Sequence, residues 1–250
     1  MDFVNYDDVI KFYNNFAVLE KKVLELEILL ESRGVSVSHG NNDIGYGFII
    51  PNKRGEKNFL SSNYHSTVFK TAFNGLDITK DMINYNYNPY QEQLNNWFNE
   101  NGNIEERIKS LTEREGELSR NAFTDSFNKY EYDNIEKELN QLKIKCIDGK
   151  NLKDKADIIN NISPENKNII KKYYEAIDDI VLYANTLNEL GKLIDNYLAT
   201  TPDKINTDLD LGLINDTKIM HQIEEYKSIM VGILSKYQLY ENKDVKTSNL

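Results

Sequence analysis

The sequence predicts a mainly α protein, an elongated antiparallel helical bundle with a small β-hairpin or sheet insert. Three observations lead there. Apolar residues recur at alternating spacings of three and four in several long segments, the pattern of helices packing along near-parallel neighbours. Proline and glycine number only 4 and 12 in 250 residues, where average usage gives about 12 and 17, and scarcity of both favours uninterrupted helices. Between residues 35 and 75 the helical period gives way to glycine-punctuated, β-branched and aromatic runs. The predicted organisation is an N-terminal helix over 1–34, a β insert over 35–75, a helical bundle over 76–240 and a frayed tail over 241–250.

The first helix carries the clearest seam. Val9, Phe12, Phe16, Leu19, Val23, Leu26 and Leu30 step by three and four. Ile10, Tyr13, Ala17, Leu24 and Ile28 widen the apolar face beyond a two-stranded coil. Asp7 and Asp8 suit its positive N-terminus, and Gly34 suits its stop. Residues 35–42 read as a loop. Ile44–Ile50 is a strand candidate ending at Pro51, 52–56 a turn, and Phe59–Phe73 a strand-rich segment. Pro89 opens a short helix over 90–99, closed by Asn101-Gly102.

From 103 the helical period returns. Ile104, Ile108, Leu111, Leu118 and Ala122 form one stripe, with a break near 121–125. Phe127, Tyr130, Ile135, Leu139, Leu142 and Cys146 continue it, and Asp148-Gly149 ends that run. Ser163 and Pro164 are an N-cap and a first helical position. They open the longest seam, in which Ile170, Tyr173, Ile177, Ile180, Ala184, Leu187, Gly191, Ile194 and Leu198 step by three and four until Thr200-Thr201-Pro202. A loop over 206–215 leads to a last helix through Ile219, Ile223, Tyr226, Met230, Ile233, Tyr237 and Tyr240. No stretch repeats another, which excludes a tandem solenoid.

Composition narrows the function classes. Net charge is −10, so the average field of the molecule does not favour coating nucleic acid. No stretch approaches the roughly 20 apolar residues of a membrane-spanning helix, and this argues against a pore-forming toxin. The N-terminus lacks the basic start and apolar run of a secretory signal. A single cysteine, Cys146, excludes an internal disulfide framework, and its apolar position makes it a small core residue.

The chemistry-bearing residues do not converge. His39, His65 and His221 are scattered, and no serine sits in a strand–turn–helix elbow, so nucleophilic catalysis has no base to build on. Gly45-Tyr46-Gly47 lacks the third glycine and the following helix of a dinucleotide fingerprint. Asp208-Leu209-Asp210-Leu211-Gly212 has its glycine at the fifth position of a calcium loop, which needs it at the sixth. Asp178-Asp179 and Glu224-Glu225 are helical neighbours about 100° apart, and neither pair makes a metal site. The expectation is a protein with no catalytic, cofactor-binding or metal-binding residues.

What remains are surfaces. Tyr85, Tyr87, Tyr90 and Trp97 combine large area with polar tips, the composition of partner-covered surfaces; the alternative is that they pack under the bundle's own end. Phe12 and Phe16, on the first seam, are the other candidate interface residues. Two functions fit such surfaces. One is a structural or assembly protein that forms a homo-oligomeric ring or tube. The other is a cytoplasmic coiled-coil adaptor or scaffold that binds partner helices along Val9–Leu30.

The abundance of Asn (33 residues), Lys, Ile and Tyr looks like translation from an AT-rich genome. Length, this composition, a helical chain with a small β insert, and the Asn/Tyr-rich passage Asn84–Asn99 together resemble the lower collar, or connector, proteins of small short-tailed phages of Gram-positive bacteria. The resemblance covers about half of the chain and centres on residues 84–120. It implies a virion protein, assembled in the host cytoplasm, forming a dodecameric tube below the portal. Such a tube is part of the DNA exit channel and holds tail appendages. It implies self-association, contacts with portal and tail proteins, passage of DNA without specific binding, and no catalytic residue. Another virion component of the inner core, tail or neck has the same general features.

Overall fold

The computed structural model describes residues 6–39, 45–51, 57–65, 69–119, 126–200 and 217–239. The fold is mainly α, with seven helices and five short strands among the described residues. Two compact units divide the chain. The first combines Met1–Thr71 with Asn168–Leu250, and the second is Ala72–Lys167.

In the first unit, α1 (Tyr6–Ser32) and α6 (Pro164–Thr200) carry the two predicted seams. Most of both seams is buried: Phe12, Phe16, Leu19, Val23 and Leu30 on α1, where Leu26 is half-buried, and Ile170, Tyr173, Ile180, Ala184, Leu187 and Ile194 on α6. The helices run antiparallel, since Phe12 lies by Tyr183 and Glu27 by Tyr173. The Tyr183 hydroxyl donates to the Phe12 carbonyl at 2.7 Å and the Tyr173 hydroxyl to Glu27 at 3.0 Å. Each tyrosine brings an aromatic body to the core and a hydroxyl that has found an acceptor, as a buried polar tip must. The last helix, α7 (Thr217–Lys236), buries Ile223, Met230, Ile233 and Leu234. It is tied to α6 through Asp179, which accepts from Lys236 at 2.6 Å and from Tyr237 at 2.7 Å.

The tyrosines of this core make stability depend on alkaline pH. Burial pushes the Tyr183 hydroxyl above the ordinary tyrosine value. Burial, then donation to Asp179, does the same for Tyr237. The unfolded chain ionises both near pH 10 while the native state keeps them protonated. Their contribution is therefore complete below about pH 10 and is lost as pH rises above it. Urea unfolding midpoints followed from about pH 8 to about pH 11 should fall on the alkaline side, and the fall should be shallower in a Tyr183→Phe, Tyr237→Phe double variant.

The β insert is larger than the sequence suggested. Residues 35–38, expected as loop, belong to β1 (Val35–His39). Gly34, at φ +77°, reverses the chain after α1, and Val35 is buried while Ser36 and Ser38 are exposed. That alternation of valine and serine is a strand period that the turn-like composition obscured. β2 (Gly45–Pro51) and β3 (Lys57–His65) form an antiparallel ribbon in which Phe48 faces Leu60, with an irregularity between Gly45 and Gly47. The expected turn over 52–56 lies outside the described residues. β4 (Phe69–Phe73) and β5 (Leu76–Ile78) complete a three-stranded sheet in the order β1-β4-β5. Asn74 and Gly75 join β4 to β5 with φ of +50° and +76°, the two left-handed residues of a type I′ hairpin.

The second unit is a long helical hairpin. α5 (Ser126–Asn160) is 35 residues, about 52 Å long at 1.5 Å per residue. Against it lie α3 (Pro89–Asn101) and α4 (Ile104–Ser119), end to end. Arg114 grips Glu131 and Arg107 grips Glu138, each through two N–H donors at 2.9–3.3 Å. Seven residues back along α4 therefore match seven forward along α5. The register carries on past Gly102-Asn103, where Trp97 meets Gly149 and Asn88 meets Ala156. These ion pairs are exposed, so each contributes only about 0–1 kcal/mol; what they add is a choice of register. Leu111, Leu118, Ile135 and Leu139 form the dry seam between α4 and α5.

Here the sequence misplaced one boundary. Gly149 does not end a helix; it lies buried in the middle of α5. A Cβ built there would stand 2.6 Å from Cζ2 of Trp97. The glycine is a contact surface for an indole, not a stop. Predicted features at 121–125, 206–215 and 240–250 lie outside the described residues.

Candidate interaction surface

The Asn/Tyr-rich passage is built by a succession of caps. α2 (Lys80–Asn84) starts on Thr79, whose hydroxyl accepts from the Met82 N–H at 3.3 Å. It ends with Asn86 at φ +47° and with the Tyr87 N–H donating to the Met82 carbonyl at 3.0 Å. This is the long-range bond of a Schellman motif, with asparagine in the left-handed position it tolerates best after glycine. Lys167 secures the turn by donating to the Asn86 side-chain oxygen at 2.9 Å. Two residues on, the Asn88 oxygen accepts from the N–H groups of Tyr90 and Gln91 and so caps α3. Its amide nitrogen donates to the Ala156 carbonyl and to Asn160, both at 3.0 Å. One asparagine thus starts α3 and binds it to the end of α5.

Tyr85 and Tyr87 flank the left-handed residue and are carried outward by a backbone with little freedom left. Tyr85 is 77% exposed and Tyr87 45%. With Asp81, Glu92, Asn95 and Asn160 they line a shallow open depression, and no basic side chain is among its lining residues. The Tyr87 hydroxyl donates to Glu92 at 2.8 Å. That hydrogen bond raises its pKa and fixes the ring beside the carboxylate. Rigid amphipathic tyrosines among adaptable amides are the composition of an effective protein-binding surface, because little side-chain freedom is lost on contact.

The other candidate residues fall elsewhere. Tyr90 is half-buried, with the Lys155 ammonium 5.5 Å from its ring centre. Trp97 is half-buried on Gly149 and meets Phe98 edge-on. Its indole N–H is buried and finds no acceptor among the described residues. Phe12 and Phe16 are 4% and 1% exposed, and Phe16 stacks on Tyr183 with ring centres 6.2 Å apart. Their area is covered inside the first unit, so only Tyr85 and Tyr87 of the six are offered to solvent as large surfaces.

Sequence reasoning did not single out the residues that accompany them. Asp81 and Glu92 share the depression, but their role there depends on the turn at Asn86. On α5, Ile144 and Ile147 are 59% and 58% exposed. On α1, the second apolar set separates from the seam, leaving Leu24 and Ile28 at 53% and 59% exposure. The available signal was apolar residues outside the three-and-four seam.

Among the described residues no group of three or more His, Cys, Asp or Glu side chains is placed to hold a metal ion. His221 is exposed on α7, and Cys146 is a half-buried free thiol. No described helix is long and apolar enough to cross a membrane. The chain matches no protein-family model, no curated protein and no solved structure.

Proposed function

We propose that this chain is a non-catalytic structural subunit that assembles with copies of itself into a ring or tube, as part of a virion collar or connector. The observation that carries the self-assembly is the exposure of large apolar side chains on helices whose other faces are already packed: Leu24 and Ile28 on α1, Ile144 and Ile147 on α5. Helices of 27 and 37 residues in the first unit and of 35 in the second are long enough to keep apolar flanks for neighbouring copies. The virion setting comes from the resemblance described above. In that setting the partners are sister copies and the portal and tail proteins, and a net charge of −10 lets DNA pass a lumen without adhering to it.

Light scattering of the purified protein, followed by negative-stain imaging, tests this. A single closed oligomer many times the 29.1 kDa chain mass is the expected outcome. A chain that stays monomeric up to about 100 µM, far above the micromolar range of ordinary specific association, overturns it. The exposed Leu24–Ile28 stripe on α1 favours a second reading, a scaffold that binds a partner helix. In that case the protein is a monomer or dimer until a partner helix is added.

A further inference from the structure

We infer that copies of this chain join head to tail through the second unit, with the acidic aromatic depression of one protomer seating a lysine-flanked isoleucine ridge on α5 of the next. This rests on the self-assembly proposed above and assigns its contact. The ridge is Lys143, Ile147 and Lys150, spaced four and three along one side of α5, with Ile144 beside them; all four are exposed. The side of α5 turned to α3 is marked by buried Gly149, against Trp97, and by buried Ala156, whose carbonyl accepts from Asn88. At 100° per residue Ile147 stands about 160° from Gly149 and about 180° from Ala156. The ridge therefore points away from the α3 contact.

Its chemistry complements the depression. Among the described residues neither Lys143 nor Lys150 has an ion-pair partner, and neither has the Asp81 carboxylate. The ridge offers two ammonium groups bracketing bare aliphatic area. The depression offers the Asp81 and Glu92 carboxylates bracketing the rings of Tyr85 and Tyr87; no basic residue lines it, and the one ammonium at its edge, Lys167, is held by the Asn86 side-chain oxygen at 2.9 Å. Tyrosine faces accept both aliphatic contact and ammonium groups, and the carboxylates fix the register. From Ile147 to Asn160, at the rim of the depression, is about 20 Å along α5, so the two patches are separate. A contact between different patches is heterologous, and repeated through a rotation that closes it makes the ring of the proposed function.

Charge reversal on each patch provides the test, read as solution mass of the full chain, with helicity by circular dichroism as the check on folding. Asp81→Lys/Glu92→Lys and Lys143→Glu/Lys150→Glu should each reduce the wild-type oligomer to single chains while leaving helicity unchanged. Mixed in equal amounts, the two variants should reassemble. The reversed depression of one now matches the reversed ridge of the other, and their untouched patches still match in the native sense. Only a pairing of these two patches gives that complementation, and a recovered mass above a dimer separates the head-to-tail arrangement from a reciprocal two-fold pair, which would overturn it. An oligomeric wild type whose variants keep its mass overturns this contact and leaves the proposed function standing. Variants that dissociate but do not recover on mixing overturn the pairing. A monomeric wild type overturns both proposals.

Discussion

Gly149→Ala is expected to destabilise the second unit, although alanine in the middle of a helix ordinarily stabilises it by about 1 kcal/mol. The new methyl would sit 2.6–2.9 Å from three carbons of the Trp97 ring, well inside van der Waals contact. Indole is rigid, so relief requires the ring to turn off its rotamer or α3 to move away from α5. Overpacking of this kind costs about 1–3 kcal/mol, more than the helical gain returns. The mechanism makes a prediction about sign. In a Trp97→Ala background the obstruction is absent, and Gly149→Ala should become neutral or stabilising by up to about 1 kcal/mol. Urea unfolding of the four chains measures this. An equal cost of the methyl in both backgrounds would show that the α3–α5 approach does not depend on Gly149. Trp97→Ala alone should also destabilise, by less than the about 3–5 kcal/mol of a fully buried aromatic, because the ring is half-buried.

The same glycine shows why the sequence was legible in some places and not in others. Seams were readable because burial along a helix imposes a period that few other structures share. Leu19, Val23, Ile180 and Leu187 are buried where their spacing put them. Caps were readable for a similar reason: the Ser163 oxygen accepts from the Asn166 N–H at 3.1 Å, as expected of an N-cap followed by proline. Gly149 was not readable, because a glycine that ends a helix and one that admits an indole look alike until the partner helix is placed. Asn74-Gly75 did carry a local signal, since Asn-Gly is the commonest type I′ pair, but the strand after it is only three residues long. The surface around Tyr85 was partly legible. The tyrosines were visible as composition, while their union with Asp81 and Glu92 depends on a left-handed turn at Asn86. Phe12 and Phe16 illustrate the converse. An aromatic residue at a seam position is equally suited to a core or an interface, and only the packing of α1 on α6 decides between them.

Leu187→Asp should have the largest effect of any single substitution in the first unit. Leu187 is 1% exposed near the middle of the 37-residue α6. Its helical neighbours one turn away, Tyr183, Ala184, Leu190 and Gly191, are all buried too. A carboxylate there has no cation to pair with in that shell and no route to water along its own helix. It must either remain charged in a dry seam or take up a proton, and both cost several kcal/mol. A loss above about 4 kcal/mol is exceptional for a point change and is a large part of the 5–15 kcal/mol that holds an ordinary domain. Leu182→Asp supplies the comparison. Leu182 lies five residues earlier on the same helix but is 49% exposed, so its aspartate stays hydrated and should change stability by about 0.5 kcal/mol. Two substitutions of identical chemistry, so close on one helix, should thus give a first unit that barely folds and one that melts almost as the wild type does. If their melting temperatures coincide, the face of α6 assigned to the core is wrong; if Leu182→Asp is the more damaging, the helix is packed the other way round.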